Sequence, residues 1–509
     1  MYDNNHLAEQ LRRASIGHDQ AVFLKNCQTG QDVSYGTFFA NAERMAALLV
    51  AKGVRPGDRV AVQAPKTQAM LELYVGAVLA GAVFLPLNTA YTAAEVSYFL
   101  SDATPRLLVC DPRNLEQLRP VAAQAGVDDI LTIAADETGT LPAARDQQQP
   151  GFQAVARDQT DLAAILYTSG TTGRSKGAML THRALVSNAQ MLKDYWQFSR
   201  SDVLIHALPI YHAHGLFVAT NTVLMSGSSC IFMARFDAEK VRDAMPQATA
   251  MMGVPTFYVR LLQTSGLAEA AKNMRLFVSG SAPLLVETFV QWQRVTGHTI
   301  LERYGMTETN MNISNPYDGQ RRAGTVGFAL PGVEAKITDP KTGAELAEGE
   351  IGILEVRGPN VFAGYWQMPE KTAQELREDG FFITGDLARR DADGYFTIVG
   401  RDKDLIITGG LNVYPKEIEL LIDDLDGVLE SAVIAAPHPD FGEAVVAVVV
   451  PEPGVVLDED AILAAIAPRL ARFKQPKKVI FLDELPRNTM GKVQKNALRQ
   501  DYTGLFAQA

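Results

Sequence analysis

The stretch Tyr167-Thr-Ser-Gly-Thr-Thr-Gly-Arg-Ser-Lys-Gly177 follows directly on the apolar run Ala163 to Leu166. A short apolar run bounded by turn residues predicts a strand. Three glycines in the stretch let backbone N–H groups approach an anion closely, Thr168, Ser169, Thr171 and Thr172 add hydroxyl donors, and Lys176 adds positive charge. The combination predicts a phosphate cradle at the end of a strand. It is not the Walker A pattern, because Gly173 is followed by Arg174-Ser175-Lys176-Gly177 and no Ser or Thr follows the lysine. The bland alternative is a Gly/Ser/Thr surface loop; the strand before it and the lysine at its end argue against that.

Working outward, β-branched runs alternate with helical patterns through most of the chain, which predicts an α/β architecture. Such runs are Arg59 to Val62, Leu107 to Val109, Cys230 to Met233 and Leu276 to Ser279. Between Ala323 and Val399 the texture becomes Gly/Pro-punctuated strand, a β-rich subregion with few helices. After the charged run Arg401-Asp-Lys-Asp404 the alternation resumes. Pro415 suits the first turn of a helix with Ile418, Leu421 and Ile422 on one face, and Ile462, Ile466 and Leu470 predict a second helix. A large N-terminal domain, 1–401, and a small α/β C-terminal domain, 402–509, are expected, with no internal repeat.

At 509 residues the chain is long enough for two to four domains of roughly 100 to 200 residues each. Hydrophobic residues at 47% and charged residues at 21% exclude collagen-like and disordered classes. A net charge of −11 argues against a general nucleic-acid binder but leaves room for a local phosphate pocket. Cys27, Cys110 and Cys230 are scattered and lack CxxC spacing, so neither a disulfide scaffold nor a zinc cluster is implied. The N-terminal MYDNNHLAEQLRRAS has no signal-peptide core, and the longest apolar stretch, Leu73 to Leu85, falls short of the ~20 residues that span a bilayer. A cytoplasmic protein with no membrane partner is the expectation.

The 167–177 stretch resembles the phosphate-binding signature of the adenylate-forming superfamily, which includes acyl- and aryl-CoA synthetases, adenylation domains of peptide synthetases and firefly luciferase. Further segments agree in order: Tyr211-His-Ala-His-Gly-Leu216, Ser279-Gly-Ser-Ala-Pro283, Tyr304-Gly-Met-Thr-Glu308, Thr384-Gly-Asp386, Gly400-Arg401, Gly409-Gly410 and Gly491-Lys492. The resemblance implies ATP, Mg²⁺ and coenzyme A, an acyl-adenylate intermediate, and a C-terminal domain that rotates about a hinge at Lys403. Thr168 to Gly173 and Lys176 would then hold phosphates. Gly280, Ser281 and Ala282 would frame the adenine, with Tyr304 and Gly305 beside it. Asp386 and Arg401 suit the ribose hydroxyls, and Thr307 with Glu308 suits a phosphate and its Mg²⁺, a hard ion that prefers oxygen ligands. By resemblance His212 gates the acyl pocket; read alone it is a buried histidine, and no third ligand for a metal accompanies His212 and His214. Lys492, otherwise a solvated charge, would bridge the attacking carboxylate and the α-phosphate and then give way to the Gly409-Gly410 loop.

No carrier domain follows Lys492 in the sequence, so coenzyme A is the expected acceptor. Arg303 stands where many relatives have a small residue, and a guanidinium facing the acyl pocket would fork onto a second carboxylate. The run Glu302-Arg-Tyr-Gly-Met-Thr-Glu308, with Arg322-Ala-Gly-Thr-Val-Gly327 after it, resembles the malonyl-CoA and methylmalonyl-CoA synthetases. Arg235 is a second candidate for the distal carboxylate, and Met306 would set room for a methyl group. Two rivals stand: a ligase for a medium-chain or aromatic monoacid, with Arg303 turned away and ion-paired to Glu302 or another carboxylate outside the pocket, and a binding protein without turnover, against which Lys492, Glu308, Asp386 and Lys176 argue. Lys492 is also a residue that a lysine acetyltransferase would neutralise. Oligomeric state is not legible.

Overall fold

The computed structural model describes residues 2–168, 175–408, 411–488 and 491–506. It divides into two compact units, Met1–Glu334 with Val356–Phe382, and Ala335–Glu355 with Ile383–Ala509. Among the described residues the strands form four sheets.

The first unit holds a six-stranded and a nine-stranded sheet. In the six-stranded sheet, Asp129–Thr132, Leu107–Cys110, Arg59–Gln63, Val83–Pro86 and Leu162–Thr168 run parallel, and Lys176–Thr181 closes one edge antiparallel to Leu162–Thr168. The predicted strand before the phosphate stretch is therefore one arm of a hairpin. Thr168 pairs opposite Lys176, so the lysine leaves the loop on a second strand rather than on a helix. The apolar stretch Leu73 to Leu85 is divided between the helix Gln68–Leu79 and the strand Val83–Pro86, both buried. Among the described residues no helix is long and apolar enough to cross a membrane.

The nine-stranded sheet sets Leu24, Cys230, Leu204, Ala250, Leu276 and their strands parallel, followed by Leu301–Met306 parallel to Leu276–Ser279. Ligands of open α/β sheets bind beyond the carboxyl ends of parallel strands. Here those ends carry His206, Gly253, Ser279 and Met306. The strand Leu301–Met306 turns back through residues 307–309 onto Asn310–Ser314, whose side chains are all buried. Gly305 is obligatory at this turn, since a Cβ there would lie 1.9 Å from the Asn310 carbonyl oxygen.

The second unit contains most of the four-stranded sheet, whose strands Phe382–Arg390 and Phe396–Arg401 are antiparallel, and a five-stranded sheet. Along Val428–His438 and Gly442–Pro451 alternate residues face opposite sides. Val433, Val445, Ala447 and Val449 pack against the helices Pro415–Asp423 and Glu459–Ile466, while Ile434, Val446 and Val448 pack with Leu485 and Leu498. Leu470 lies beyond the helix predicted to carry it, because that helix ends at Ile466 and Pro468 cannot continue its hydrogen bonding. The units do not part at Arg401. Asp386 to Arg390 ladder with Phe396 to Arg401, and Thr384 donates to the Leu354 carbonyl at 2.7 Å, so 335–355 and 383–401 group with the C-terminal residues.

One buried charge lies inside the apolar helix Gln68–Leu79. Glu72 is 0% exposed, receives Asn41 Nδ2 at 2.8 Å and Gln68 Nε2 at 2.7 Å, and pairs with Arg145 Nη1 at 2.5 Å. Removing one partner of a buried pair strands the other charge. Arg145→Met is expected to cost about 3 kcal/mol in urea unfolding, whereas surface substitutions nearby stay within about 0.5 kcal/mol.

Candidate active site

Arg303, on the strand Leu301–Met306, reaches the end of the neighbouring strand Leu276–Ser279. Its side chain is buried at 3% exposure, and its guanidinium lies on the backbone of Gly280, where a Cβ would come within 2.3 Å of Arg303 Cζ. Glycine at 280 is what admits the side chain. Burial brings the guanidinium down to about 9, leaving it cationic at neutral pH. Nε and Nη2 have no hydrogen-bond partner among the described residues. The expected alternative, an ion pair with Glu302, is not formed, because Glu302 Oε1 instead accepts the Leu284 N–H at 2.9 Å.

His214 sits beside this cation. Its Nδ1 is 3.2 Å from Ser281 Oγ, and burial, with Arg303 adding to it, holds the imidazole well below its ordinary range and so neutral. His214 Nε2 and Ser279 Oγ also lack partners among the described residues. Buried polar atoms are normally satisfied. A cluster of orphans around a buried cation is therefore a site shaped for a polar, anionic ligand. Ser281 itself has a positive φ of 70°, a strained conformation of the kind that collects at functional sites.

His212 is half-buried, edge-on to Tyr211 with ring centroids 4.6 Å apart, at the entrance to the π-helical turn His214–Thr220. Tyr304 is half-buried and its hydroxyl is 3.9 Å from Met306 Sδ. Ala282 and Thr307 are half-buried next to these groups in sequence. Arg235 is not brought to Arg303. It lies exposed in the bend after Ser229–Phe232, where the neighbouring Phe236 stacks on Phe257.

Glu308, in the turn after Leu301–Met306, is 4% exposed and receives the Tyr365 hydroxyl at 3.0 Å. The same hydroxyl reaches Glu375 Oε2 at 2.6 Å, and Glu375 pairs with Lys176 at 3.2 Å and Lys371 at 2.8 Å. Burial opposes the Glu375 charge, but Lys371, Tyr365 and Lys176 outweigh it and hold its ionisation low. Burial and the two carboxylates push the Tyr365 phenol up, so it stays a donor. Glu308 offers buried carboxylate oxygen, the donor type Mg²⁺ takes, linked to the cation Lys176 through Tyr365 and Glu375. The donor set fits a nucleotide-bound Mg²⁺.

Of the phosphate stretch, Thr168 and Lys176 are described; Ser169, Gly170, Thr171, Thr172 and Gly173 lie outside the described residues, as do Gly409 and Gly410. In the second unit Asp386, 4% exposed, pairs with Arg401 Nε at 2.7 Å across adjacent strands. Lys403 is exposed in the turn Asp402–Asp404. Lys492 is exposed on a turn held by Asn488, which accepts the Lys492 N–H at 3.0 Å and donates its own N–H to the Lys492 carbonyl at 2.9 Å. An ion pair from Arg487 to Glu430 ties that turn to the strand Val428–His438.

The family described as AMP-binding enzyme matches residues 10–366, and the AMP-binding enzyme C-terminal domain matches 417–492. This chain belongs to the AMP-binding enzymes. An ATP-bound MatB from Rhodopseudomonas palustris is 55% identical, covering 99% of this AMP-binding enzyme and 100% of that chain with a TM-score of 0.97. The Malonate--CoA ligase of Arabidopsis thaliana is 33% identical over 92% of this chain and 85% of that protein. The Feruloyl-CoA synthase of an Amycolatopsis species is 37% identical over 93% and 94%. The AMP-binding enzyme thus has relatives named for a diacid and for an aromatic acid at comparable identity, and its own pocket must separate them.

Sequence reasoning passed over Lys66, Tyr365 and Glu375, and it read His214 only as a buried histidine. Lys66, Tyr365 and Glu375 lie in no glycine-rich or paired pattern that would single them out. Lys66 is buried, and burial brings its ammonium down to about 7. It donates to the His206 and Leu208 carbonyls, both at 2.8 Å, and so fixes the chain entering the His212–His214 segment. Lys66→Met would take the ammonium from the Leu208 carbonyl and leave the His206 carbonyl with the Met233 N–H alone. A loss of about 2 kcal/mol in denaturant unfolding is expected, with the helix Gln68–Leu79 next to it otherwise unchanged by circular dichroism.

Proposed function

We propose that this AMP-binding enzyme joins malonate or methylmalonate to coenzyme A, consuming ATP and releasing AMP and pyrophosphate. The observation that carries the reading is Arg303, a buried cation with two unpaired N–H groups beside a neutral histidine. An unpaired buried guanidinium is costly, and a second carboxylate bound in its fork relieves that cost. Acetate or a fatty acid would leave it unrelieved, so the site favours a diacid by the penalty of unpaired polar groups rather than by fit alone. The relatives named for malonate and MatB support the same reading.

In the proposed reaction the free carboxylate of the acid attacks the α-phosphorus of ATP. The bond to the bridging oxygen breaks, and pyrophosphate leaves with its electrons. Thr168 to Gly173 and Lys176 hold the phosphates, and Tyr304 with Gly280, Ser281 and Ala282 holds the adenine. Asp386 and Arg401 hold the ribose, their cross-strand pair presenting an acceptor and a donor side by side. Thr307 and Glu308 would hold the Mg²⁺ that enters with ATP, which when bound offsets charge on the phosphates. Lys492 supplies positive charge where two anions approach, an electrostatic stabilisation of the transition state. The thiol of coenzyme A then attacks the acyl carbon, and AMP leaves.

For the second step residues 402–509, the part of the second unit that follows the strand Phe396–Arg401, turn about Lys403, exchanging Lys492 for the Gly409-Gly410 loop. His212 gates the acyl pocket, Met306 limits the α-substituent of the acid, and Arg235 is a secondary contact at most, given its exposure. A cytoplasmic enzyme is proposed, and acetylation of Lys492 would abolish its adenylation charge.

Two outcomes test this. CoA-dependent AMP formation with malonate, methylmalonate, succinate, acetate, octanoate and benzoate is expected to favour the first two. Arg303→Met should lose that preference by ~100-fold or more in kcat/KM while acetate changes little; preference for a monoacid in the unaltered enzyme would overturn the diacid assignment. Separately, Lys492→Ala is expected to lower malonate-dependent ATP–pyrophosphate exchange by at least ~100-fold, yet to consume supplied malonyl-AMP and coenzyme A at near the unaltered rate.

A further inference from the structure

His206 stands at the carboxyl end of the strand Val203–His206, yet both nitrogens of its buried ring meet protein atoms. Nδ1 is 3.1 Å from Lys66 Nζ, and Nε2 is 3.1 Å from the Gly215 carbonyl oxygen and 3.2 Å from Thr220 Oγ1. The Thr220 hydroxyl donates to the same carbonyl at 3.0 Å. Gly215 and Thr220 both belong to the π-helical turn His214–Thr220. A Cβ at Gly215 would lie 1.9 Å from the Pro209 carbonyl oxygen, so the turn packs directly on the chain that Lys66 holds at Leu208.

Donor arithmetic fixes the ring hydrogen of His206. An ammonium has three hydrogens and no lone pair. Lys66 Nζ meets three acceptors, the His206 and Leu208 carbonyl oxygens and His206 Nδ1. Charged Lys66 therefore requires Nδ1 without a hydrogen, which puts the hydrogen on Nε2, where it is donated to Gly215. A neutral amine keeps two hydrogens and gains a lone pair. The two hydrogens stay on the carbonyls, the lone pair accepts from Nδ1–H, and Nε2 then turns a lone pair toward the Gly215 carbonyl. Lys66 passes between these states near neutrality, since burial brings its ammonium down to about 7. Cys230 and Cys27 also act on Lys66, but burial pushes both thiols up and keeps them uncharged there. His214, held neutral, feels Arg303, His206 and His212.

We propose that His206, its ring hydrogen set by Lys66, is a positioning residue for the acid pocket, holding the π-helical turn that brings His214 to Ser281 beside Arg303. The inference rests on the acid site proposed above. When Lys66 gives up its proton to solvent, the imidazole hydrogen changes nitrogen and nothing else is transferred. The Gly215 carbonyl then loses its histidine donor and keeps the Thr220 hydroxyl. Acid affinity is thus greatest while Lys66 is charged, and the nucleotide is bound elsewhere.

The test is the KM for malonate at saturating MgATP and coenzyme A from pH 6 to pH 8, with calorimetric MgATP affinity and thermal midpoint alongside. His206→Leu is expected to raise that KM by ~10-fold at pH 6, the usual effect of leaving a buried acceptor without its donor, with MgATP affinity unchanged. By pH 8 the unaltered enzyme should come within ~2-fold of the variant, because most of its own Lys66 is then neutral. Thr220→Val removes the second donor to Gly215 and should make the rise in KM between pH 6 and pH 8 steeper. A ratio of KM between His206→Leu and the unaltered enzyme that stays constant over this range would overturn the proposal. So would a KM for malonate unmoved in both variants. A loss spread equally over malonate and MgATP, with a lowered midpoint, marks a merely structural role and overturns it as well. Should His206→Leu not fold, the pH dependence of Thr220→Val decides alone. Preference for a monoacid in the unaltered enzyme would instead count against the diacid reading, and the same comparison made with that acid would still decide this one.

Discussion

A guanidinium lying on a bare backbone is the constraint around which the first unit is arranged. Arg303 reaches its place because Gly280 has no Cβ, and Gly280 is beside it because Leu276–Ser279 and Leu301–Met306 are parallel neighbours in register. Burying a cation without a partner is costly. The cost is borne in a region where Ser279, Ser281 and His214 also keep polar atoms at hand. A neutral His214 adds no second positive charge beside the guanidinium. Specificity in such a site comes from what is left unpaired when the wrong acid binds.

A second constraint is mechanical. Thr168 and Lys176 are opposed across an antiparallel ladder, so the two strands that flank the phosphate stretch cannot drift apart independently. The segment 362–366 ties that hairpin to the turn of Glu308 through backbone hydrogen bonds. Two groups far apart in sequence, Lys176 and Glu308, are thereby joined by one tyrosine and one glutamate.

Much of the α/β pattern was readable because strand and helix signals are local. Leu276–Ser279 is bounded as the apolar run predicts, and Arg59, Leu107 and Cys230 all lie in strands. The helix Pro415–Asp423 carries Ile418 and Ile422 inward as its spacing requires. The end of Glu459–Ile466 was misread because the i, i+4 pattern of apolar residues continued past a proline that hydrogen bonding does not. The grouping of 335–355 and 383–401 with the C-terminal residues was not readable, since strand pairing across long separations leaves no mark in the pattern of any one strand.

By itself the sequence determined the class of chemistry. Glycines, hydroxyls and a lysine in one stretch already amount to an anion site, and a charged residue beside Tyr304 already asks for a partner. What only the tertiary structure decided is which charges are shared. Glu302 turns to the Leu284 backbone rather than to Arg303, Arg235 stays in solvent, and Lys66, Tyr365 and Glu375 meet neighbours 140, 57 and 199 residues away. The physical reason is that a side chain's charge is a property of its residue, whereas its desolvation and its partners belong to the packing of strands that meet only in the fold.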